Sequence, residues 1–266
     1  MRATAFEFRH RALLIGIIYW LAFSAYAIDH TNSVQAMVIW TVGSSSPHRL
    51  LAARGLLGLA TLFVAFGALV RTWGAAYLRA SVVHDAKLHS AVLVADGPYR
   101  HVRHPLYFAS IVSTLGTGLM ASRLGFVIMV GALTLLYLRL VGREEAQLHE
   151  QQGEAYREFR RRVPRLWPSL TPRVPRLWPS LTPRVPGTGA KPQWGQAFRG
   201  ELFMWGFALA IGAFAVTFKF TVMAVILSLA FLAFLAFLAF LAFLAFLQQQ
   251  IVHNRRRRMA RQAQTP

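Results

Sequence analysis

Residues 97–122 read GPYRHVRHPLYFASIVSTLGTGLMAS, and the change of character at Pro105 decides how the chain is built. Before it stand Tyr99, Arg100, His101, Arg103 and His104; after it the run 105–122 carries no charge. A residue preceding proline is pushed away from helical backbone angles, and proline is favoured at the first helical position. The junction therefore predicts a helix that begins at Pro105 with His104 at its cap. A run of this length approaches the ~20 residues that cross a bilayer, where helices keep every backbone group paired.

Further uncharged apolar runs lie on both sides, at 12–28, 55–70, 124–138, 202–218 and 220–247. The run at 55–70 reaches back to 50 if Arg54 sits near an end. Together they predict an all-α fold: a multi-pass transmembrane helical bundle of about six spans, the fourth the shortest. Composition agrees, with 55% hydrophobic and 15% charged residues and a mean hydropathy of +0.42. The chain has no cysteine, which excludes disulfides, thiolate metal sites, iron–sulfur clusters and a cysteine nucleophile.

The net charge of +19 is unevenly placed. Alternating loops put Arg2, Arg9, Arg11, the 71–104 loop, the 143–199 segment and the 255–258 arginines on one side. Only Arg49, Arg123 and Lys219 are clear loop cations on the other. This asymmetry predicts a cell (inner) membrane protein with both termini in the cytoplasm. The basic tail then meets anionic headgroups rather than nucleic acid. The first run resembles a signal peptide, with Ala25 and Ala27 around Tyr26, but its length predicts an uncleaved anchor.

The third and fourth runs are joined at Ser122 and Arg123, the fifth and sixth at Lys219, so each pair is expected to form a tight hairpin. The 71–104 loop and the 143–199 segment flank the first hairpin and meet over its end. The expected organisation is 1–80 N-terminal spans, 81–165 a core bearing the polar motifs, 166–199 a Pro/Arg-rich linker, 200–247 a C-terminal hairpin and 248–266 a basic tail. RVPRLWPSLTP occurs in tandem at 162–172 and 173–183, followed by RVP. It reads as a basic, tryptophan-bearing strap that proline keeps out of regular helix. LAF repeats six times from Leu229, which spreads phenylalanine around every helix face and suits lipid contact.

Polar chemistry concentrates at 84–107 and 139–159. The first turn of a helix at Pro105 offers unpaired N–H groups to an anion, reinforced by Arg100 and Arg103. The turn Asp96-Gly97-Pro98 brings Tyr99 to the same entrance. Glu144 and Glu145 would point about 100° apart on a continuing helix, so they form no carboxylate dyad. One can face a cationic ligand while the other pairs with Arg143 or faces water. An anion site beside a cation partner is what an amino-acid-like cofactor with a carboxylate, an amine and a sulfonium requires. His101 and His104 form HxxH near Glu144, Glu145 and His149, fewer histidines than membrane di-iron centres use, so no metal is expected.

GPYRHVRHPLY, then EE at 144–145, GxxY at 153–156 and VPR at 163–165 together resemble the isoprenylcysteine carboxyl methyltransferase and phospholipid methyltransferase-like membrane enzymes. The resemblance covers roughly residues 84–165. It implies S-adenosylmethionine as cofactor, in a cytosol-facing pocket at the end of the hairpin. It also implies cofactor contacts from His84, Ala91, Val92, Leu93, Val94, Tyr99, His104, Pro105, Leu106, Tyr107 and Glu144. Ala109 stands where the pattern has glycine, Gln152 replaces the aromatic before Gly153, and Leu140 replaces a substrate arginine. Arg139 and Arg143 flank Leu140 and are the candidate catalytic residues. The implied activity is methyl transfer to a lipophilic small molecule or lipid. Two other readings stand beside it: an NADPH-dependent sterol or enone reductase, which shares an RHPxYxG-like signature, and a non-catalytic binding protein on the same scaffold.

Overall fold

A computed structural model describes residues 1–84, 95–166 and 184–233, with 235, 236 and 239; for 79–84 it describes the backbone alone. Among these residues the regular elements are helical, apart from one isolated bridge between Asn32 and Ser122. The helices are α1 (Ala5–Arg9), α2 (Arg11–Ser24), α3 (Ser33–Val42), α4 (Arg49–His84), α5 (Pro105–Gly118), α6 (Arg123–Arg162), α7 (Trp194–Gly200), α8 (Leu202–Thr217) and α9 (Phe220–Ala233). A 3-10 turn at Gly97–Arg100 precedes α5.

Among the described residues two helices are long and apolar enough to cross a membrane: α4 over Arg49–Leu78 and α6. A third counts if α7 and α8, bent by 60° at Glu201, act as one span. The expected number was about six. The run at 12–28 corresponds to a shorter apolar helix, Arg11–Ala27, the run at 220–247 is described as helix over Phe220–Ala233, and α5 has 14 residues. The run at 124–138, the shortest in the sequence, opens the longest helix, because α6 continues through the polar residues to Arg162. Helix α3 belongs to none of the expected runs; Asn32 caps it by accepting from Val34 N and Gln35 N. Helix α4 is continuous through position 80, where the sequence places a division.

Pro105 starts α5, with His104 as the cap residue. Ser122 caps α6 through a hydrogen bond from Gly125 N, so the α5–α6 hairpin closes where the sequence places it. The hairpin turn is pinned from outside. Ser33 N donates to Ala121 O, Arg123 N donates to Thr31 O, and Asp29 accepts from both Arg123 and Leu124 N. The α8–α9 turn falls at Phe218, whose φ of 53° is left-handed.

Small residues let α4 and α5 lie against each other antiparallel. A Cβ at Gly67 would stand 1.9 Å from Ser113 Oγ and 2.7 Å from the Ala109 carbonyl; one at Gly116 would stand 2.4 Å from the Ala60 carbonyl. In lipid, such backbone contact replaces the hydrophobic drive that water provides. Helix α8 runs back along α4, with Trp205 Nε1 donating to Thr72 Oγ1 at 3.1 Å. Helix α2 packs on α6, where Ala22 lies against Gly125. The end of α4 near Trp73, the start of α5, the middle of α6 and the start of α8 thus share one end of the bundle.

Gly67→Ala is expected to lower thermal stability in detergent by about 1–3 kcal/mol, an overpacking penalty. Gly131→Ala, where a Cβ meets nothing within 4 Å, is expected to be neutral or stabilising.

Candidate functional site

The segment before α5 is held by main chain on both sides. Arg103 N donates to Pro164 O at 2.9 Å and His104 N to Arg165 O at 3.2 Å. These bonds join VPR to RHP. On the other side Arg184 N donates to Arg100 O at 2.8 Å, and Arg100 Nε donates to Val185 O at 2.8 Å. The first RVP unit and the last one therefore grip the same stretch. Asp96 adds a third hold, accepting from Thr188 N at 2.8 Å and from the Thr188 hydroxyl.

Two glycines make this course feasible. Gly97 has φ 54°, and a Cβ there would collide with the Tyr77 ring at 2.3 Å. Gly153 has φ 54° and ψ −120°, which kinks α6. The chain beyond the kink buries Tyr156, Phe159 and Val163 against Ala95. GxxY is thus a bend followed by an anchor.

The two acids separate as helical geometry requires. Glu144 Oε1 accepts from the Tyr107 hydroxyl at 2.5 Å, and its Oε2 lies 3.8 Å from His104 Nδ1. Glu145 pairs with Arg103 and, at 3.1 Å, with Arg165 Nε. Neither acid takes Arg143, the alternative partner considered from sequence; two arginines from elsewhere saturate Glu145 instead. His104 is buried, and its Nε2 stands 3.4 Å from Glu145 Oε1 without a hydrogen bond. The His104 and Tyr107 rings lie 6.1 Å apart, and Tyr107 stacks tilted on Tyr137 at 5.9 Å. Burial pushes the Tyr99 phenol well above its ordinary pKa, helped by the nearby Glu144 charge, so Tyr99 stays a protonated donor.

Tyr99, His104, Pro105, Tyr107 and Glu144 therefore gather at one end of the bundle. Leu106 instead faces α4, against Gly74. Arg139 and Arg143 are engaged by the N-terminal segment. Arg139 makes a two-pronged pair with Glu7 at 3.0 and 2.8 Å; Arg143 donates to Ala3 O at 3.2 Å and covers the Phe8 ring. His84 ends α4 with its side chain outside the described residues, and Ala91, Val92, Leu93 and Val94 lie outside them as well. So do most of the RVPRLWPSLTP duplication, most of the LAF repeat and the basic tail. Among the described residues no three His, Asp or Glu side chains gather as metal ligands.

Sequence reasoning missed a polar cluster below this end. Arg71 forms a two-pronged pair with Glu201 at 2.6 and 3.1 Å and donates to Ser110 Oγ at 2.8 Å. The available signal was a lone cation ending one apolar run and a lone acid opening another.

Residues 58–150 match the model of the isoprenylcysteine carboxyl methyltransferase (ICMT) family. That match supports an ICMT-like assignment for the segment. It holds α5, both acids and the Tyr107–Glu144 bond. The cobalt-zinc-cadmium resistance protein CzcN of Cupriavidus metallidurans is 31% identical over 117 residues, 44% of this chain and 50% of that protein. The nickel-cobalt-cadmium resistance protein NccN of Alcaligenes xylosoxydans xylosoxydans is 30% identical over 117 residues, 44% of this chain and 51% of that protein. The chain thus spans about half the length of the curated relatives it matches. No solved structure matches it.

Glu145→Ala leaves Arg103 buried without its partner and is expected to lower stability by about 1–3 kcal/mol, below the 3–5 of a fully buried pair because Arg165 is partly solvated. Glu145→Gln, which still accepts a hydrogen bond, is expected to lose less in the same thermal melt. The Arg139 hydrogen bonds, with the Thr4 N–H, hold the Glu7 carboxyl at about 2 against an ordinary 4.5. Its contribution is complete above about pH 4.5 and fades as pH falls toward 2. Glu7→Gln is expected to flatten stability against pH in that window only.

Proposed function

We propose that the chain is an integral membrane methyltransferase that uses S-adenosylmethionine and methylates a lipophilic acceptor. The observation that carries this reading is the Tyr107–Glu144 bond beside buried His104, inside the family-matched segment. The residues suit the cofactor's charges. The Glu144 carboxylate has, among the described residues, one hydrogen-bond donor, the neutral Tyr107 phenol, and is a counter-charge for a sulfonium or an ammonium group. His104 offers a buried nitrogen without a hydrogen bond, and Tyr99 a protonated phenol.

When bound, S-adenosylmethionine supplies an activated methyl whose bond to sulfur breaks as the acceptor's carboxylate, amine or thiol bonds to carbon. The sulfonium is already electrophilic, so the protein's part is proximity, orientation and exclusion of water. Glu144 balances the positive end, Tyr107 fixes the Glu144 rotamer, and Pro105 sets the helix start. Leu140, buried on α6, offers an acceptor carboxylate no partner, and Arg139 is spoken for by Glu7. An acceptor carrying an amine or a thiol fits that lining better than a carboxylate. We place the protein in the cell inner membrane, with both termini and this site on the cytoplasmic side and anionic headgroups against the basic tail.

Mass spectrometry of the purified protein is expected to find S-adenosylhomocysteine or S-adenosylmethionine carried through purification. Labelled S-adenosylmethionine is expected to bind at least tenfold more weakly to Glu144→Ala and His104→Ala, the ~1.4 kcal/mol of one charge-assisted contact. Equal binding by wild type and both variants would sink the assignment.

A further inference from the structure

A second site lies at the far end of the bundle. A cavity of about 840 Å³ opens between α3, α4, α8 and α9. Small-molecule sites run from roughly 300 to 1,000 Å³. Arg49 lines the cavity and Trp73 stands near His101 on the same helix. The 24 residue steps from Arg49 to Trp73 span about 36 Å at ~1.5 Å per residue. This cavity is therefore separate from the proposed methyl-transfer site.

Its lining specifies an occupant. Leu57, Ile211, Phe214, Met223 and Leu227 give it an apolar wall. Tyr26 and Asn32 also line it, but their polar groups serve the fold. Tyr26 OH donates to Met120 O and accepts from Asn32 Nδ2; Asn32 Oδ1 accepts from Val34 N and Gln35 N. Arg49 differs. It is exposed, one guanidinium nitrogen donates to Ser44 O, and the remaining N–H groups have no acceptor within bonding distance among the described residues. An apolar chamber with one cation at its rim suits an alkyl chain ending in one anionic group.

We propose that this cavity seats an acyl chain of an anionic membrane phospholipid, with its phosphate at Arg49. The α8–α9 turn closes one side, through Phe218 and Phe220. The C-terminal helices thereby complete a lipid seat whose lining falls largely outside the family-matched segment, with Thr117 and Met120 inside it.

The test is native mass spectrometry of the detergent-purified full chain exposed to phosphatidylglycerol or phosphatidylcholine of matched acyl chains. The expected result is a one-to-one phosphatidylglycerol adduct retained about tenfold more than phosphatidylcholine, from one charge-assisted contact. Arg49→Gln is expected to erase that preference, and Met223→Trp, which intrudes an indole into the acyl path, to erase retention of both lipids. Equal retention of the two lipids by wild type overturns the proposal. So does an adduct that survives Met223→Trp in folded protein, since that is annular lipid only.

Discussion

Two backbone hydrogen bonds, Arg103 N to Pro164 O and His104 N to Arg165 O, fix the geometry on which the candidate site depends. They bring the far end of α6 back onto the start of α5, although about 60 residues separate the partners. Because they are main-chain bonds, they set the height of the His104 ring and the direction of Arg103 whatever the side chains do. Glu145 then adds its pairs to Arg103 and Arg165 across the same junction. The Gly153 bend is what permits the return, since a straight helix would carry Tyr156 and Val163 away from Ala95.

The same economy governs the rest of the bundle. Helices α4 and α5 meet through Gly67 and Gly116, which brings backbones close where lipid provides no hydrophobic drive. Polar ties then set the register of the neighbours. Arg71 binds Glu201 and Ser110, joining α4, α5 and the α7–α8 bend; Arg139 binds Glu7, joining α6 to the N-terminal segment. Each is a two-pronged guanidinium–carboxylate pair, whose planar fork fixes direction as well as distance. Pairs partly withdrawn from water contribute to a unique arrangement more than to net stability.

Local chemistry was legible in the sequence and long-range pairing was not. Pro105 announced its helix start, Ser122 its hairpin and Glu144–Glu145 their divergence, because each follows from the backbone of a few residues. The number of spans was not legible from apolar length. The run at 12–28 yields a helix, Arg11–Ala27, as long as the run yet short of a full span, while the run at 124–138 opens a helix that continues past it and, across the bend at Gly153, reaches Arg162, since Glu, Gln and Arg continue a helix beyond its apolar part. Nor did the sequence disclose that Arg139 and Arg143 meet the N-terminal segment. That partnership joins residues more than 130 apart and leaves no local mark.

Charge accounting at the acid pair explains why the chain carries two adjacent glutamates. Glu145 is consumed by Arg103 and Arg165, which the fold must bring together to close the junction. Left alone, those arginines would make the end of the bundle strongly positive and repel a cationic ligand. With Glu145 neutralising much of that charge, Glu144 stands beside it as a carboxylate held by a phenol. One acid completes the fold and its neighbour remains free for the cationic end of the cofactor proposed for this site. Exchanging their roles would need a turn of about 100° along α6, and the pairs at Arg103 and Arg165 forbid it.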